Sequence, residues 1–316
     1  MTQGPNLEVN LAPGHTAGLK LKNPVLTASG TFGYGTEYAK LLDIQRLGGI
    51  VSKAITLHPR EGNAQPRIAE TPSGMLNAIG LQNVGVEVAI REKAPVWAGW
   101  SVPVVANVAG FSIRDFVEVV EKLSSTPGVA GIELNISCPN VDHEGRMFGL
   151  DAHDAAAVTS AARSVCDIPL IVKLSPNVTD VTEIARAVES EGADAVSLIN
   201  TIPGMVIDLR RRQPYLANQT GGLSGPAIRP IAVRMVWQVV QAITIPIVGV
   251  GGIASADDAL QFLMAGATAV QIGTASFVNP RAAVDVIDGI EAFLRAESIP
   301  AVIDLIGAAV PRAAAR

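Results

Sequence analysis

The sequence contains very little cysteine, since Cys138 and Cys166 are the only two among 316 residues. Two thiols are too few for a disulfide scaffold or for an iron–sulfur cluster held by cysteines. Basic charge is also scarce: 24 Lys and Arg residues against 29 Asp and Glu residues give a net charge of −5. This balance provides no electrostatic footprint for nucleic acid or for an anionic membrane surface.

Long apolar runs are missing as well. No stretch reaches the roughly 18 residues that a membrane-spanning helix needs. The first ten residues, MTQGPNLEVN, lack the basic and apolar regions of a secretory signal. The chain is nevertheless 48% hydrophobic and only 17% charged, which suits a large buried core. We therefore expect a cytoplasmic protein without nucleic-acid or membrane partners.

Eight short apolar segments alternate with helical patterns along the chain. They are apolar almost throughout, which is typical of parallel strands buried on both faces. Amphipathic segments lie between them, such as 182–192 and 255–267, the second with Ser255 as its N-cap and Gly266 at its end. The predicted strands are 24–30, 48–54, 102–110, 131–137, 169–175, 195–201, 245–252 and 269–275.

This alternation predicts an α/β fold, a (β/α)8 TIM barrel that forms a single domain over residues 1–316. A doubly wound sheet is the alternative, but the sequence gives no sign of the strand-order reversal that it requires. Chain length favours the barrel, for which about 250 residues is typical. The connections 55–84, 138–151 and 201–226 are too long for simple turns. Each follows a strand, so we expect them on the C-terminal rim, where barrel active sites form.

Polar side chains or glycines stand at the ends of the predicted strands. A single Asn or Lys in such a position is usually an ordinary rim residue. Two lysines and four asparagines at one barrel mouth indicate a ligand site instead. The set has no carboxylate, so we expect no divalent metal. Its members are Ser29, Gly30, Lys53, Asn77, Asn107, Asn135, Lys173, Asn200, Thr201, Gly251, Gly252, Gly273 and Thr274.

The last two strands are followed by glycine-rich segments, GVGGIAS and IGTASF. Barrels commonly bind phosphate with the loops after strands 7 and 8. The first segment also fits a relaxed dinucleotide fingerprint, but the acidic residue expected about 20 positions later is missing. A mononucleotide such as FMN is therefore favoured over directly bound NAD. GGLSGPAI (221–228) adds another glycine-rich loop. Lys53 and Lys173 could each serve the phosphate or the N1–C2 edge of a flavin.

The most distinctive segments are NPVLTASGTFGYG, SKAIT, NAIGLQN, ELNISCPN, VKLSPNVTD, INTIPGMVIDL, GGLSGPAI, GVGGI and IGTA, spread over roughly residues 8–280. Together they closely resemble the class 1 dihydroorotate dehydrogenases, and most of all the class 1B catalytic subunit. The resemblance implies an FMN barrel that oxidises (S)-dihydroorotate to orotate in pyrimidine biosynthesis. It further implies a homodimer within a heterotetramer, whose partner subunit carries FAD and a [2Fe–2S] cluster and passes electrons to NAD+.

The resemblance also assigns roles to individual residues. Cys138 is the implied catalytic base, which takes the proton from C5 of the substrate. The implied FMN contacts are Ser29, Lys53, Ala54, Asn107, Asn135, Lys173, Ile199, Gly225, Gly251, Gly252, Gly273 and Thr274. The implied substrate contacts are Lys53, Asn77, Ala78, Ile79, Gly80, Leu81, Asn135, Asn140, Asn200 and Thr201.

Other interpretations remain open at this stage. A class 1A enzyme would use fumarate as its oxidant, and a dihydrouridine-synthase-like barrel would act on RNA, which the acidic charge disfavours. An FMN barrel could also transfer electrons without a substrate of its own. His143 is a rival candidate for the base, but we interpret it as a solvent-facing loop residue. We interpret Cys166 as structural and the charged run Asp208 to Arg212 as solvated surface.

Overall fold

A closed barrel of eight parallel strands forms the centre of the protein. The computed structural model describes residues 4–137 and 148–311. The strands follow one another around the barrel in chain order, and β8 pairs with β1. They are β1 Val25–Thr27, β2 Gly49–Val51, β3 Val104–Val108, β4 Gly131–Asn135, β5 Leu170–Lys173, β6 Ala195–Leu198, β7 Ile247–Val250 and β8 Ala269–Ile272. The predicted TIM barrel is confirmed, and closure excludes the doubly wound sheet.

Each barrel strand lies inside a predicted segment but is shorter than it. For example, β1 covers 25–27 of the predicted 24–30, and β3 covers 104–108 of the predicted 102–110. Nearly every strand residue is buried, because the barrel interior covers one face and the helices cover the other. The apolar segments continue past the last ladder hydrogen bonds, and these extensions become the rim that carries the polar residues.

Helices surround the barrel and lie between most successive strands, but only the 3-10 turn Ile44–Arg46 lies between β1 and β2. The predicted helix 255–267 is observed as Ala256–Met264, and it begins with a capping box in which Ser255 Oγ accepts from Asp258 N at 3.3 Å. The helices are α1 (86–97, with a π-helical turn at Ala89–Lys93), α2 Ile113–Ser124, α3 Ala152–Arg163, α4 Val181–Ser190, α5 Arg229–Val239, α6 Ala256–Met264, α7 Ala275–Val278 and α8 Ala282–Ala296. Short 3-10 turns lie at Ile44–Arg46, Phe148–Leu150, Pro226–Ile228 and Val302–Asp304.

A second, four-stranded sheet lies within the long connections. Its strands, in order across the sheet, are Ile202–Gly204, Gly221–Ser224, Gly74–Asn77 and Ile68–Thr71. We call it the rim sheet. It joins the connections 55–84 and 201–226, and it has a small apolar core of Ala69, Leu76, Ala78 and Leu216. The sequence predicts these connections on the rim, but it does not predict their strands.

Two further hairpins complete the described chain. Val9–Asn10 pairs with Lys20–Leu21, and Ile207–Asp208 pairs with Gln213–Pro214. Near the first hairpin, Leu19 packs against Gly131, where β4 begins. Within residues 4–137 and 148–311, no helix is both long and apolar enough to cross a membrane. The single-domain prediction for residues 1–316 stays a prediction.

Candidate active site

The ends of β4 and β6 bring two of the predicted asparagines together. Asn135 is the last residue of β4, and Asn200 follows β6 by two positions. Asn200 Nδ2 donates to Ser137 Oγ at 3.0 Å and lies 3.5 Å from Asn135 Oδ1. The Ser137 hydroxyl donates to Asn135 Oδ1 at 3.2 Å. Ser137 therefore connects the two amides, a role that the sequence analysis did not assign to it.

Asn77, in the rim sheet, and Thr201, the residue after Asn200, both contact Gly222 of the rim sheet. Asn77 lies opposite Gly222 in the sheet, and its Nδ2 donates to the Gly222 carbonyl at 3.4 Å. The Thr201 side chain fills the space that a side chain at position 222 would need. Asn177 Nδ2 donates to the Thr201 carbonyl at 3.4 Å. Asn177 is a further rim amide that the sequence analysis did not single out.

The predicted substrate loop, residues 77–81, is held by backbone hydrogen bonds. Ala78 N donates to the Arg67 carbonyl at 2.9 Å, and Asn63 N donates to the Ile79 carbonyl at 3.0 Å. Leu81 adopts a left-handed conformation with φ 56°, which is uncommon for a residue other than glycine. Asn83 Nδ2 donates to the Leu81 carbonyl at 2.7 Å and so helps to hold this conformation.

The predicted phosphate loops after β6, β7 and β8 meet at one side of the rim. Gly252 has φ 74°, and a side chain there would begin 2.6 Å from the Gly225 carbonyl oxygen. Only glycine allows the two loops to approach this closely. Thr274 Oγ1, after β8, donates to Ser224 Oγ at 2.8 Å. Backbone N–H groups of closely packed glycine loops can contact an anion directly.

Lys53 and Lys173 occupy different environments. Lys53 is half-buried after β2 and lines a pocket of about 610 Å³ that also includes Tyr34, Arg60 and Gln82. Burial lowers the pKa of Lys53, the positive charge of Arg67 lowers it further, and Glu37 opposes both effects. Lys173 ends β5, is only 5% exposed, and lies opposite Asn135 in the sheet.

A buried carboxylate inside the barrel was missed by the sequence analysis. Glu133 on β4 is fully buried. Its Oε1 accepts from Asn107 Nδ2 at 2.7 Å. Its Oε2 accepts from Ser197 Oγ at 2.8 Å and from Gln271 Nε2 at 2.7 Å. The only indication of Glu133 in the sequence is that a charged residue stands within the otherwise mostly apolar segment GIELNIS. Asn107 is itself fully buried. Its predicted contact with a ligand stays a prediction.

The remaining predicted residues differ in what the structure says about them. Ser29 is half-buried after β1, whereas Ala54 and Ile199 are buried. The predicted base Cys138, the predicted substrate contact Asn140 and the rival base His143 lie outside the described residues. In the described ranges, no group of three or more His, Cys, Asp or Glu side chains could hold a metal ion.

The lowered pKa of Lys53 can be measured directly. We expect its ε-amino group, labelled by reductive ¹³C-methylation, to titrate below free lysine. Arg67→Gln should raise the titration midpoint, and Glu37→Gln should lower it, because the two charges act in opposite directions. The unfolded chain binds this proton more readily, so the free energy of unfolding should rise with pH between the lowered pKa and the ordinary one.

An NMR pH titration measures all three midpoints, with Lys53→Met identifying the resonance. Equal midpoints in the two charge variants would contradict the contributions assigned to Arg67 and Glu37 and leave burial as the cause of the shift.

Comparison with known proteins identifies the family. A family model described as dihydroorotate dehydrogenase matches residues 12–294. A protein of Geotalea uraniireducens named dihydroorotate dehydrogenase B (NAD(+)), catalytic subunit, is 54% identical over 97% of this chain and 99% of its own length. Proteins of the same name from Trichlorobacter lovleyi and Porphyromonas gingivalis are 55% and 56% identical over 92% and 93% of this chain, and 95% of each relative is covered. Matches of this length and identity show that the chain belongs to the dihydroorotate dehydrogenase family.

Proposed function

We propose that this chain is the catalytic subunit of a class 1B dihydroorotate dehydrogenase. It oxidises (S)-dihydroorotate to orotate in pyrimidine biosynthesis, with FMN as its cofactor. The main support is the hydrogen-bonded cluster of Asn135, Ser137 and Asn200 at the mouth of a barrel from this family. The relatives' shared name, which specifies NAD(+) and a catalytic subunit, supports the finer class.

The described residues suit FMN in two respects. The loops of Gly225, Gly252 and Thr274 meet closely enough to present backbone N–H groups to a phosphate. Lys53 keeps an ammonium group at a half-buried position, where positive charge is weakly screened. A cation there stabilises negative charge that develops on a reduced ring system. We propose that these residues, together with Lys173 and Asn135, hold the cofactor.

The amides of the rim suit the substrate. Dihydroorotate presents ring N–H donors, ring carbonyl acceptors and a carboxylate. Asparagine side chains offer both two donors and an acceptor, so they can pair with either kind of edge. Asn77 in the rim sheet and Asn200 at β6 come from opposite halves of the chain. We propose that both amides pair with the substrate and that Lys53 compensates its carboxylate charge.

The reaction removes a proton from C5 and a hydride from C6 of dihydroorotate. The chemistry that FMN supplies when bound is acceptance of the hydride. Cys138 follows Ser137 directly in the sequence, and we propose that its thiolate takes the proton. A free thiol has a pKa of about 8.5. The thiolate fraction is therefore small at neutral pH and grows as the pH rises. General bases work best when their pKa is near the operating pH.

The reaction itself can be tested with the purified holoprotein. Under anaerobic conditions, dihydroorotate should bleach the yellow absorbance of the bound oxidised flavin. Stopped-flow absorbance measures the rate, and dihydrouracil, which lacks the carboxylate, serves as the matched control substrate. Failure of dihydroorotate to bleach a fully FMN-loaded protein would rule out the proposed function.

The role of Cys138 makes a separate prediction. Cys138→Ser should slow flavin reduction about 10²–10⁴-fold at neutral pH, the usual contribution of a general base. FMN should remain bound. Cys166→Ser is the matched control and should reduce its flavin at close to the normal rate, because Cys166 is buried after the end of α3 with its thiol hydrogen-bonded to the Ile168 carbonyl. A near-normal rate in Cys138→Ser would exclude this residue as the base.

The electron acceptor forms the finer part of the proposal. Two cysteines cannot ligate an iron–sulfur cluster in this chain, so NAD+ reduction requires a partner that carries FAD and [2Fe–2S]. We propose a homodimer of this chain within such a heterotetramer. The chain alone should show little turnover with NAD+ or fumarate, and addition of the partner should restore NAD+ turnover. Rapid fumarate reduction by the chain alone would favour a class 1A enzyme.

A further inference from the structure

The barrel interior contains a buried polar layer that includes one carboxylate, Glu133, two residues before Asn135 on β4. In (β/α)8 barrels, alternate strands fill the interior with layers of mostly bulky, branched side chains. Here β4, β6 and β8 instead contribute Glu133, Ser197 and Gln271, which are at most 1% exposed and are joined by hydrogen bonds. Among the ion pairs of residues 4–137 and 148–311, none includes Glu133. A buried charge of this kind is costly unless it has a function or strong hydrogen bonds.

The carboxylate determines how two neighbouring amides are oriented. Its oxygens can only accept hydrogen bonds, so Asn107 and Gln271 both turn their NH₂ groups toward it. Asn107 Oδ1 and Gln271 Oε1 consequently remain buried without a hydrogen-bond partner. Native structures rarely retain unpaired buried acceptors, and each one calls for an explanation. A neutral residue at position 133 would not impose this arrangement.

Register places the carboxylate next to the proposed flavin contacts. Glu133 lies opposite Asn107 in the pairing of β3 with β4. Asn135, two residues further along β4, lies opposite Lys173. Lys173 in turn lies opposite Ser197, which donates to Glu133. The carboxylate is therefore hydrogen-bonded to residues on β3, β6 and β8, and it lies two residues before the proposed cofactor contact Asn135.

We propose that Glu133 is a positioning residue that fixes the Asn107 amide and lowers the reduction potential of the bound flavin. The inference rests on the proposed function, because it concerns the same cofactor. Reduction would add negative charge to the flavin, and a fixed anion near the proposed cofactor contacts would oppose that addition. The interaction acts through the barrel interior, where salt and solvent screen it only weakly.

Glu133→Gln tests the proposal, because it keeps the shape of the side chain and removes its charge. The NH₂ group of the new glutamine would face a hydrogen-bond donor. The side-chain amide of Asn107 or Gln271 must therefore rotate to present its oxygen instead. We expect the ratio of affinities for reduced and oxidised flavin to rise about tenfold, which corresponds to about 30 mV for a two-electron couple. A dye-coupled anaerobic titration of the holoprotein measures this potential.

Asp194→Asn is the matched control. Asp194 precedes β6 at the opposite end of the barrel, where its Oδ2 accepts from Leu170 N at 2.8 Å and from Arg163 at 3.0 Å. This variant also neutralises a hydrogen-bonded, partly buried carboxylate. It therefore controls for the loss of folding stability that Glu133→Gln is expected to cause. Its flavin potential should match the wild type.

The outcomes separate this inference from the proposed function. Wild-type protein that binds no flavin, or is not reduced by dihydroorotate, ends the proposed function. Flavin-loaded Glu133→Gln with the wild-type potential overturns the inference alone. If Glu133→Gln does not fold, Ser197→Ala decides, because it keeps the charge and removes one donor. Its potential should fall below the wild-type value, and an unchanged potential would overturn the inference.

Discussion

Pairing of the last barrel strand with the first is the constraint on which the rest of the structure depends. β8 lies parallel to β1, with Val270 opposite Val25. Because all the barrel strands are parallel, closure brings their carboxyl ends to one rim. Ala28 N, after β1, thereby donates to the carbonyl of Ile272, the last residue of β8, at 2.8 Å. Residues from the whole length of the chain thus share one surface, which no local sequence pattern could provide.

Much of the fold could be predicted because burial on both faces leaves a clear pattern in the sequence. Each barrel strand lies within a predominantly apolar segment, such as PLIVKLS for β5. The rim sheet leaves no such pattern. Its strands GMLN and GGLS contain glycine and few β-branched residues, and they pair across long sequence separations. Their pairing depends on tertiary structure that forms around them.

The candidate site was predictable where residue type alone carries the chemistry. Lysines, asparagines and glycines at strand ends were visible in the sequence, and the structure brings the loops of Gly225 and Gly252 together. Glu133 was not predicted because its significance comes from its partners. Its three donors lie 26, 64 and 138 positions away in the chain. Ser137 was missed for the same reason, since it acts by linking amides on two strands.

The rim sheet has a consequence for the order in which the protein folds. Asn77 and Gly222 are hydrogen-bonded neighbours, yet 145 positions separate them. Closing a chain loop of that length costs conformational entropy before any contact compensates for it. Contacts between residues so far apart in the sequence become favourable only after the intervening strands have been assembled. The surface that would receive the substrate is therefore completed late, so a nascent chain cannot have a finished binding site until almost all of the barrel exists.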